Sequence, residues 1–409
     1  MMLKARYIVP VDRSVIENGA VAIDQGWITA VGPARKVSAQ TITDYGDAVI
    51  LPGFVNAHTH LELSMLAGRI PPGPDFVGWL RELTETVSTE STTREPVHEA
   101  VRAGIAQLLA SGVTMVGDIT RLPWWTREAL SASPLSGVSF GEVIAIGTRR
   151  HLLRERLDAA GDTAWQNERM RTGISPHTPY TVEPEAMRAC AQRARSVGAP
   201  LCIHLAETAD EERFTRSCEG PLADYLRAVG IWDASIPSGG CGPVELAART
   251  GLLGRQTVIA HANYVTDDDI DRIAASGASV AYCPRTHHAF EHPPHRFRDM
   301  LAAGINVCIG TDSLASSPSL SILGELRFLR REHPDLAADD LIAMATLRGA
   351  RALGFQDQFG SLAVGKSADL VVIPLDDPVS AAGWASILES TQPPGAVYVS
   401  GQLHYSDSC

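Results

Sequence analysis

Lysine is nearly missing. Lys4, Lys36 and Lys366 are the only three in 409 residues, so that arginine supplies the other 32 of 35 basic side chains. Each lies near one end of the chain, which excludes any mechanism that needs a lysine in the middle. Long hydrophobic runs are also missing: no stretch reaches the roughly 18 apolar residues of a membrane helix. The start, Met1-Met2-Leu3-Lys4-Ala5-Arg6, leads straight into an alternating strand without an apolar leader, which argues against export and for a cytoplasmic protein. The seven cysteines are scattered and odd in number, and none are spaced as Cys-x-x-Cys. This is the usage of reduced, mostly buried thiols. With a formal charge of −12 and no basic stripe, nucleic-acid binding is not expected. No Gly-x-Gly-x-x-Gly stands at a strand end, which weakens a doubly wound dinucleotide fold. There is no internal repeat and no low-complexity linker. A homo-oligomer is left open.

What is present has two textures. Residues 1 to about 50 read as short strands (Arg6–Val11, Gly19–Asp24, Trp27–Val31) separated by turns such as Asp24-Gln25-Gly26. From about 50 to 350, short apolar segments alternate with helical ones. The strand candidates are Val49–Asn56, Thr114–Ile119, Gly137–Ile146, Gly173–Pro176, Pro200–Leu205, Thr257–Ala262, Ser279–Cys283 and Asn306–Gly310. Helices are expected at Arg94–Ser111, Glu183–Val197, Asp268–Ser276, Phe297–Ala303, Ser319–Arg331 and Ala338–Leu353. Eight apolar strands with interleaved helices predict an α/β protein, a (β/α)8 TIM barrel. Strands then return at Gly360–Lys366, Ala368–Ile373 and Ala396–Ser400. The expected organisation is therefore a barrel over 51–355 and a small β-sandwich domain built from both chain termini, 1–50 and 356–409.

The stretch Pro52-Gly53-Phe54-Val55-Asn56-Ala57-His58-Thr59-His60 organises the chain. Alternate side chains of a strand share a face, so His58 and His60 can grip one ion together. Barrel sites sit at the C-terminal ends of the strands. There the sequence offers His177 in Pro176-His177-Thr178-Pro179-Tyr180, then His204-Leu205-Ala206-Glu207, His261-Ala262-Asn263 and Gly310-Thr311-Asp312-Ser313. Singly, each has an ordinary explanation: a hydrogen-bonded core histidine, a helix-capping aspartate, a solvated glutamate beside Asp210, Glu211 and Glu212. Together, at successive strand ends, they would require as many coincidences.

On these motifs, and on the tail Gly360-Ser361-Leu362-Ala363-Val364-Gly365-Lys366-Ser367-Ala368-Asp369-Leu370, the chain resembles the amidohydrolase superfamily. Within it, the likeness is to the cytosine deaminase-like group that includes nucleoside-type deaminases and s-triazine chlorohydrolases. The resemblance implies one divalent metal, Zn2+ or Fe2+, held by His58, His60, His204 and Asp312. The two-metal branch bridges its ions with a carbamylated lysine, and this barrel has none to offer. Three imidazoles and a carboxylate suit a borderline divalent ion and leave room for water, whose pKa would fall towards about 7. The resemblance further implies that Glu207 protonates a ring nitrogen and later the leaving group, that His261 stabilises the tetrahedral intermediate, and that Asp312 accepts the proton of the water.

His177 resembles the substrate-contacting histidine of the nucleoside-type deaminases. His60-Leu61-Glu62, Phe76-Val77-Gly78-Trp79-Leu80 and Cys283-Pro284-Arg285-Thr286 look like the aminodeoxyfutalosine deaminases of the alternative menaquinone pathway, whose substrate is an adenine nucleoside bearing a benzoate. In that reading Arg285 pairs with the carboxylate, Trp79 stacks on an aromatic ring, and Glu62 or Glu142 bonds ribose or adenine. His287 and His288 stand where relatives often carry asparagine, and Ser316-Ser317-Pro318 replaces a more usual Ser-Asn pair. The expected activity is hydrolytic deamination of an aminated purine nucleoside, plausibly 6-amino-6-deoxyfutalosine. The alternatives are an S-adenosylhomocysteine-, methylthioadenosine- or adenosine-type deaminase, or a chlorohydrolase acting on another ring C–X bond. A catalytically silent barrel serving as a binding module should lack ligands or Glu207, and none is missing.

Overall fold

In the computed structural model, residues 1–90, 93–376 and 384–407 are described. The first five strands are β1 (Met2–Ile8), β2 (Ile16–Asp24), β3 (Trp27–Pro33), β4 (Ile42–Asp44) and β5 (Ala48–Pro52). They join β14 (Leu370–Pro374), β15 (Ala396–Val399) and β16 (Gln402–Ser406) in one mixed sheet, ordered β16-β15-β14-β5-β1-β2-β3 with β4 on β1. Its apolar face gathers Leu3, Ile8, Val21, Ile23, Ile50, Leu370, Val372 and Tyr398 into a separate buried cluster. Both ends of the chain thus build one sheet, through β5 antiparallel to β14 and parallel to β1.

The second sheet is the barrel. Its strands are β6 (Phe54–Thr59), β7 (Val113–Thr120), β8 (Ser136–Val143), β9 (Met170–Pro176), β10 (Leu201–Leu205), β11 (Thr257–His261), β12 (Ser279–Tyr282) and β13 (Asn306–Ile309). They pair in sequence order, every ladder parallel. Beyond the strand ends, the carbonyl of His58 accepts the amides of Thr311 and Asp312, both at 3.1 Å. The Asn56 amide exchanges hydrogen bonds with the Thr311 hydroxyl and backbone at 2.7 and 3.2 Å. The first strand is thereby laced to the end of the eighth.

Three sequence expectations are corrected here. The single apolar strand Val49–Asn56 is two strands in two sheets, divided at Gly53. A Cβ at Gly53 would stand 2.2 Å from the Thr114 hydroxyl, so the chain turns from one sheet into the other where only glycine fits. The helix expected over Ala338–Leu353 breaks into Ala338–Met344 and Leu347–Ala352, because the Ala345 carbonyl leaves the helix to accept the amide of Val55 at 2.8 Å. Gly360–Lys366 is not a strand; Gly360 and Gly365 take φ of 82° and 87°, which bend it into turns.

On β10, Leu201, Ile203 and Leu205 pack outward into the main core, while Cys202 joins a cluster drawn from seven of the eight barrel strands. Its sulfur lies 3.9 Å from His58 Nδ1 across the barrel, so its neighbour on that face, His204, also points to the axis. Six cysteines are free thiols, and Cys409 lies outside the described residues. No helix among the described residues is long and apolar enough to cross a membrane. Gly53→Ala is expected to lower the unfolding free energy by about 1–3 kcal/mol through overpacking against a stiff, β-branched threonine. Urea denaturation reads this, and an unchanged midpoint would show that Thr114 can give way.

Candidate active site

The strand ends converge on a cluster of imidazoles and carboxylates. His58, His60 and His204 present ring nitrogens that all lie within 4.8 Å of one another, and so do the ligand atoms of His58, His261 and Asp312. Asp312 Oδ1 is 3.7 Å from His58 Nε2 and 3.5 Å from His60 Nε2. Its other oxygen accepts from the Ser316 hydroxyl at 2.6 Å. Burial opposes the Asp312 charge, but His60, His261 and that hydroxyl outweigh it and hold the carboxyl below its usual value. The placement follows from the seam: the Thr59 hydroxyl donates to the Asp312 carbonyl at 2.8 Å, while His58 holds the Asp312 amide. Asp118, wholly buried on β7, accepts the amide of Leu61 and fixes the chain just after His60.

The donor set fits a divalent cation. His204 Nδ1 meets the His177 carbonyl at 3.1 Å; a carbonyl only accepts, so Nδ1 carries the proton and Nε2 is left with its lone pair. That lone pair faces His60 Nε2 at 3.1 Å. Burial pushes His204 down to about 4 and His58 and His60 well below the usual histidine range, so all three rings are neutral donors. His58 Nε2 is buried without a hydrogen-bond partner. Neutral imidazole nitrogens turned on one another, beside an ionised carboxylate, are what a cation would satisfy.

Glu207 follows β10 on a left-handed Ala206, φ 53°, which lifts it out of the strand. Its Oε1 lies 3.4 Å from His261 Nε2, a second buried nitrogen without a hydrogen-bond partner. Burial pushes the Glu207 carboxyl well above the usual carboxylate range, and the charges of Asp312 and Glu211 push it the same way. A carboxylic acid that keeps its proton here is a proton donor.

A cavity of about 180 Å3 opens beside this cluster, with His60, Glu62, Glu142 and His177 at its inner wall. It shares Arg121, Glu142 and Arg149 with a second cavity of about 280 Å3 lined also by Trp124, Glu155 and Arg156. His177 Nε2 stands 3.8 Å from Glu142 Oε1 while its Nδ1 meets the Thr181 hydroxyl at 2.8 Å. Burial pushes His177 down to about 3 and Glu142 up to about 7. Glu142, His177 and His204 also approach one another within 4.8 Å.

The matching family is the amidohydrolase family, over residues 49–403. The chain belongs to it. It is 30% identical over 407 residues to a 5-methylthioadenosine/S-adenosylhomocysteine deaminase of Moorella thermoacetica, covering 92% of this chain and 86% of that one. It is 33% identical over 361 residues to an aminodeoxyfutalosine deaminase of Deinococcus radiodurans, covering 83% and 82%. The structure of a Xanthomonas campestris adenosine deaminase with bound zinc superposes with a TM-score of 0.82 at 26% identity, over 99% of this chain and 92% of that one. With deaminases as relatives over most of its length, this amidohydrolase is a hydrolytic deaminase.

Two substrate contacts expected from the sequence are not in the cavity. Arg285 is turned away: its Nε donates to Glu325 Oε1 at 2.6 Å, and its Nη2 to Ser319 and Ser321. Glu325 is fully buried and pushed up to about 7 by burial, against the pull of Arg285, so the guanidinium is the counter-charge of a core carboxylate. Trp79 packs on Phe76 and Phe290 with ring centroids at 6.0 and 5.0 Å. The helix Phe76–Glu90 turns Leu80, Leu83, Thr84, Val87 and Ser88 to the cavity instead, a helical stripe that leaves Trp79 on its flank. Glu62 does line the cavity, but its Oε1 is taken by the Arg121 amide and Nε at 3.2 and 2.9 Å, and its Oε2 accepts from Thr120.

Arg121, Arg149 and Arg156 were missed. Arg121 immediately follows β7, so reading the end of that strand as the others were read would have found it. Arg149 and Arg156 lie in the segment after β8, where a run of arginines carries no periodic signal. Arg285→Met is expected to cost about 3–5 kcal/mol of stability by stranding Glu325. KM should stay unchanged in thermal unfolding and steady-state assays run side by side; a raised KM with native stability would return Arg285 to the substrate.

Proposed function

We propose that this amidohydrolase deaminates an adenine nucleoside whose distal end carries a carboxylate, with 6-amino-6-deoxyfutalosine as the leading substrate. The observation that carries the reading is one continuous arrangement. His60 of the metal-fitting cluster lines a cavity together with His177 and Glu142, and Arg121 and Arg149 line both that cavity and the adjoining one, where Arg156 joins them. With Arg121 engaged by Glu62, Arg149 and Arg156 are the guanidiniums that offer an anionic ligand a partner in this acidic chain. Trp124 beside them offers an exposed ring to an aryl group.

His58, His60, His204 and Asp312 would hold one zinc or iron ion, and when bound it supplies a Lewis acid that lowers the pKa of water at the site. Hydrolysis adds water to the amidine carbon and releases ammonia, so both protons must leave the water oxygen, one to end on the ring nitrogen and one on the amine. Glu207 holds the proton that goes to the ring nitrogen, which lets that nitrogen take the C=N electron pair as the new C–O bond forms. Asp312, kept ionised by its neighbours, takes the proton from the attacking water. His261 Nε2 faces the same point as Glu207 and is placed to bond the oxygen of the tetrahedral intermediate. When the C–N bond breaks, the proton held by Asp312 leaves with the amine as ammonia, and the hydroxyl proton of the tetrahedral intermediate returns to Glu207 as the carbonyl forms. His177, neutral and fixed by Thr181, is placed to contact the base, and Glu142 to bond the ribose or the adenine.

A second reading has its own support. Glu155 lines the outer cavity with Arg156, a pair of opposite charges that suits the zwitterionic end of S-adenosylhomocysteine. Ammonia release from the two nucleosides, compared with adenosine and methylthioadenosine, separates the readings, and activity confined to the neutral pair would refute the anionic subsite.

Glu207→Gln should retain metal near wild-type stoichiometry and lose about a hundredfold to ten-thousandfold in kcat, as measured by ammonia release and elemental analysis. Turnover near wild type would remove Glu207 from proton transfer. Arg149→Met should raise KM about tenfold or more for the carboxylated nucleoside while leaving adenosine unaffected. An equal effect on both would place Arg149 outside carboxylate recognition.

A further inference from the structure

The seventh barrel strand runs into a histidine-rich segment holding His287, His288, His292 and His295. His288 packs on the Phe328 ring, and His292 meets the Tyr264 hydroxyl at 3.1 Å. The other two reach back to the strand ends that carry the proton-transfer groups.

Those strand ends adopt backbone that L-residues rarely take. Ala206, His261 and Ala262 have φ of 53°, 71° and 54°. Such geometry persists only where surroundings hold it. Around Glu207 the holding contacts are explicit. Glu211, wholly buried, accepts the amides of Ala206 and Glu207 at 2.9 and 3.0 Å. The side-chain amide of Asn263 donates to the Glu207 carbonyl at 3.0 Å. That donation fixes which way Asn263 is turned: Nδ2 faces the carbonyl, so Oδ1 faces outward and needs a donor. The donor is His287 Nδ1, at 3.1 Å. His287 is itself buried, with Nε2 against the Pro293 carbonyl at 2.9 Å; both oxygens only accept, so the ring serves both contacts with a proton on each nitrogen. On the neighbouring strand, His295 Nε2 donates to the carbonyl of the left-handed His261 at 2.8 Å, its ring stacked on Tyr282 at 3.9 Å.

We propose that His287 and His295 are positioning residues for proton transfer: His287, through Asn263, fixes the peptide that carries Glu207, and His295 fixes the peptide that carries His261. Neither ring lines the two cavities, and His295 reaches the cluster only through the backbone carbonyl of His261. The inference rests on the deaminase reading for the roles of Glu207 and His261; the hydrogen bonds stand without it. A small rotation of either peptide swings a side chain whose reach to the substrate has a tolerance well under an ångström, so the effect belongs in turnover and not in affinity.

The test uses the full-length, metal-loaded protein. His287→Phe and His295→Phe keep a ring and remove the N–H, while His287→Asn restores a donor close to the Nδ1 position. Both phenylalanine variants should keep wild-type metal content and lose about tenfold or more in kcat with KM within about twofold, and His287→Asn should recover most of the loss. Phenylalanine variants with kcat near wild type would overturn the inference. So would a loss that tracks metal content or folded fraction, or no recovery with asparagine. Nitrogen-15 spectra of the histidine rings decide the matter without substrate: wild type should show bonded protons on both Nδ1 and Nε2 of His287 and on Nε2 of His295. A His287 ring protonated only on Nε2 would refute the relay. Wild-type ammonia release on the nucleoside panel tests the functional reading, and the ring protons and variant-to-wild-type ratios test this one.

Discussion

The seam between the first and last barrel strands is the constraint on which the site depends. A parallel barrel must close, and here closure is made by the His58 carbonyl on two successive amides, with the Asn56 side chain bracing Thr311. The second of those amides belongs to Asp312. The bond that shuts the barrel therefore brings the carboxylate against the histidines of the first strand, and no separate element is needed to aim it. The left-handed φ of 59° at Asp312 is the local cost of that double use. Closing the fold and setting Asp312 against His58 and His60 are one event within Asn56–His60 and Thr311–Asp312, and His204 completes the donor set from β10.

Burial does the electrostatic work. With water excluded, His58, His60 and His204 are held neutral and Glu207 is held protonated, although they sit within a few ångströms of one another. Asp312 alone keeps its charge, because His60, His261 and Ser316 outweigh its desolvation. A single low-dielectric pocket thus sorts three imidazoles, one acid and one base by their neighbours. The outer cavity is less closed, with its guanidiniums partly open to solvent, although burial still pulls Arg156 below the usual arginine value.

The inner site was legible in the sequence because barrel topology turns strand ends into a list. Once eight apolar segments are recognised, the polar residue after each is a candidate, and His58, His60, His177, His204, Glu207, His261 and Asp312 all emerge that way. Where sequence reading failed, the deciding contact was remote or the signal was uniform. Val49–Asn56 is apolar throughout, so nothing marks that it crosses from one sheet to the other at Gly53. Arg285 was assigned to a carboxylate, and it does bind one, but the partner is Glu325, forty residues away on a helix whose burial no local pattern announces. Glu62 was read as facing the ligand, and it does reach the cavity, yet one of its oxygens holds Arg121 and the other accepts from Thr120.

That last contact changes how the substrate end is built. Glu62 sits two residues past the metal-fitting His60 and fixes Arg121 through both its amide and its Nε. The first strand therefore carries inner donors and, one step further, the anchor of an outer cation. Glu62 stands in the short 3-10 helix Leu61–Leu66 that directly follows the strand, so the spacing between the cluster and Arg121 is set by a short hydrogen-bonded segment. In the proposed reading, a nucleoside must match that span to place its amidine carbon at the cluster while its carboxylate meets the arginines. Selectivity for the distal group thus becomes selectivity in turnover, because binding energy gained at the arginines is also what positions the base.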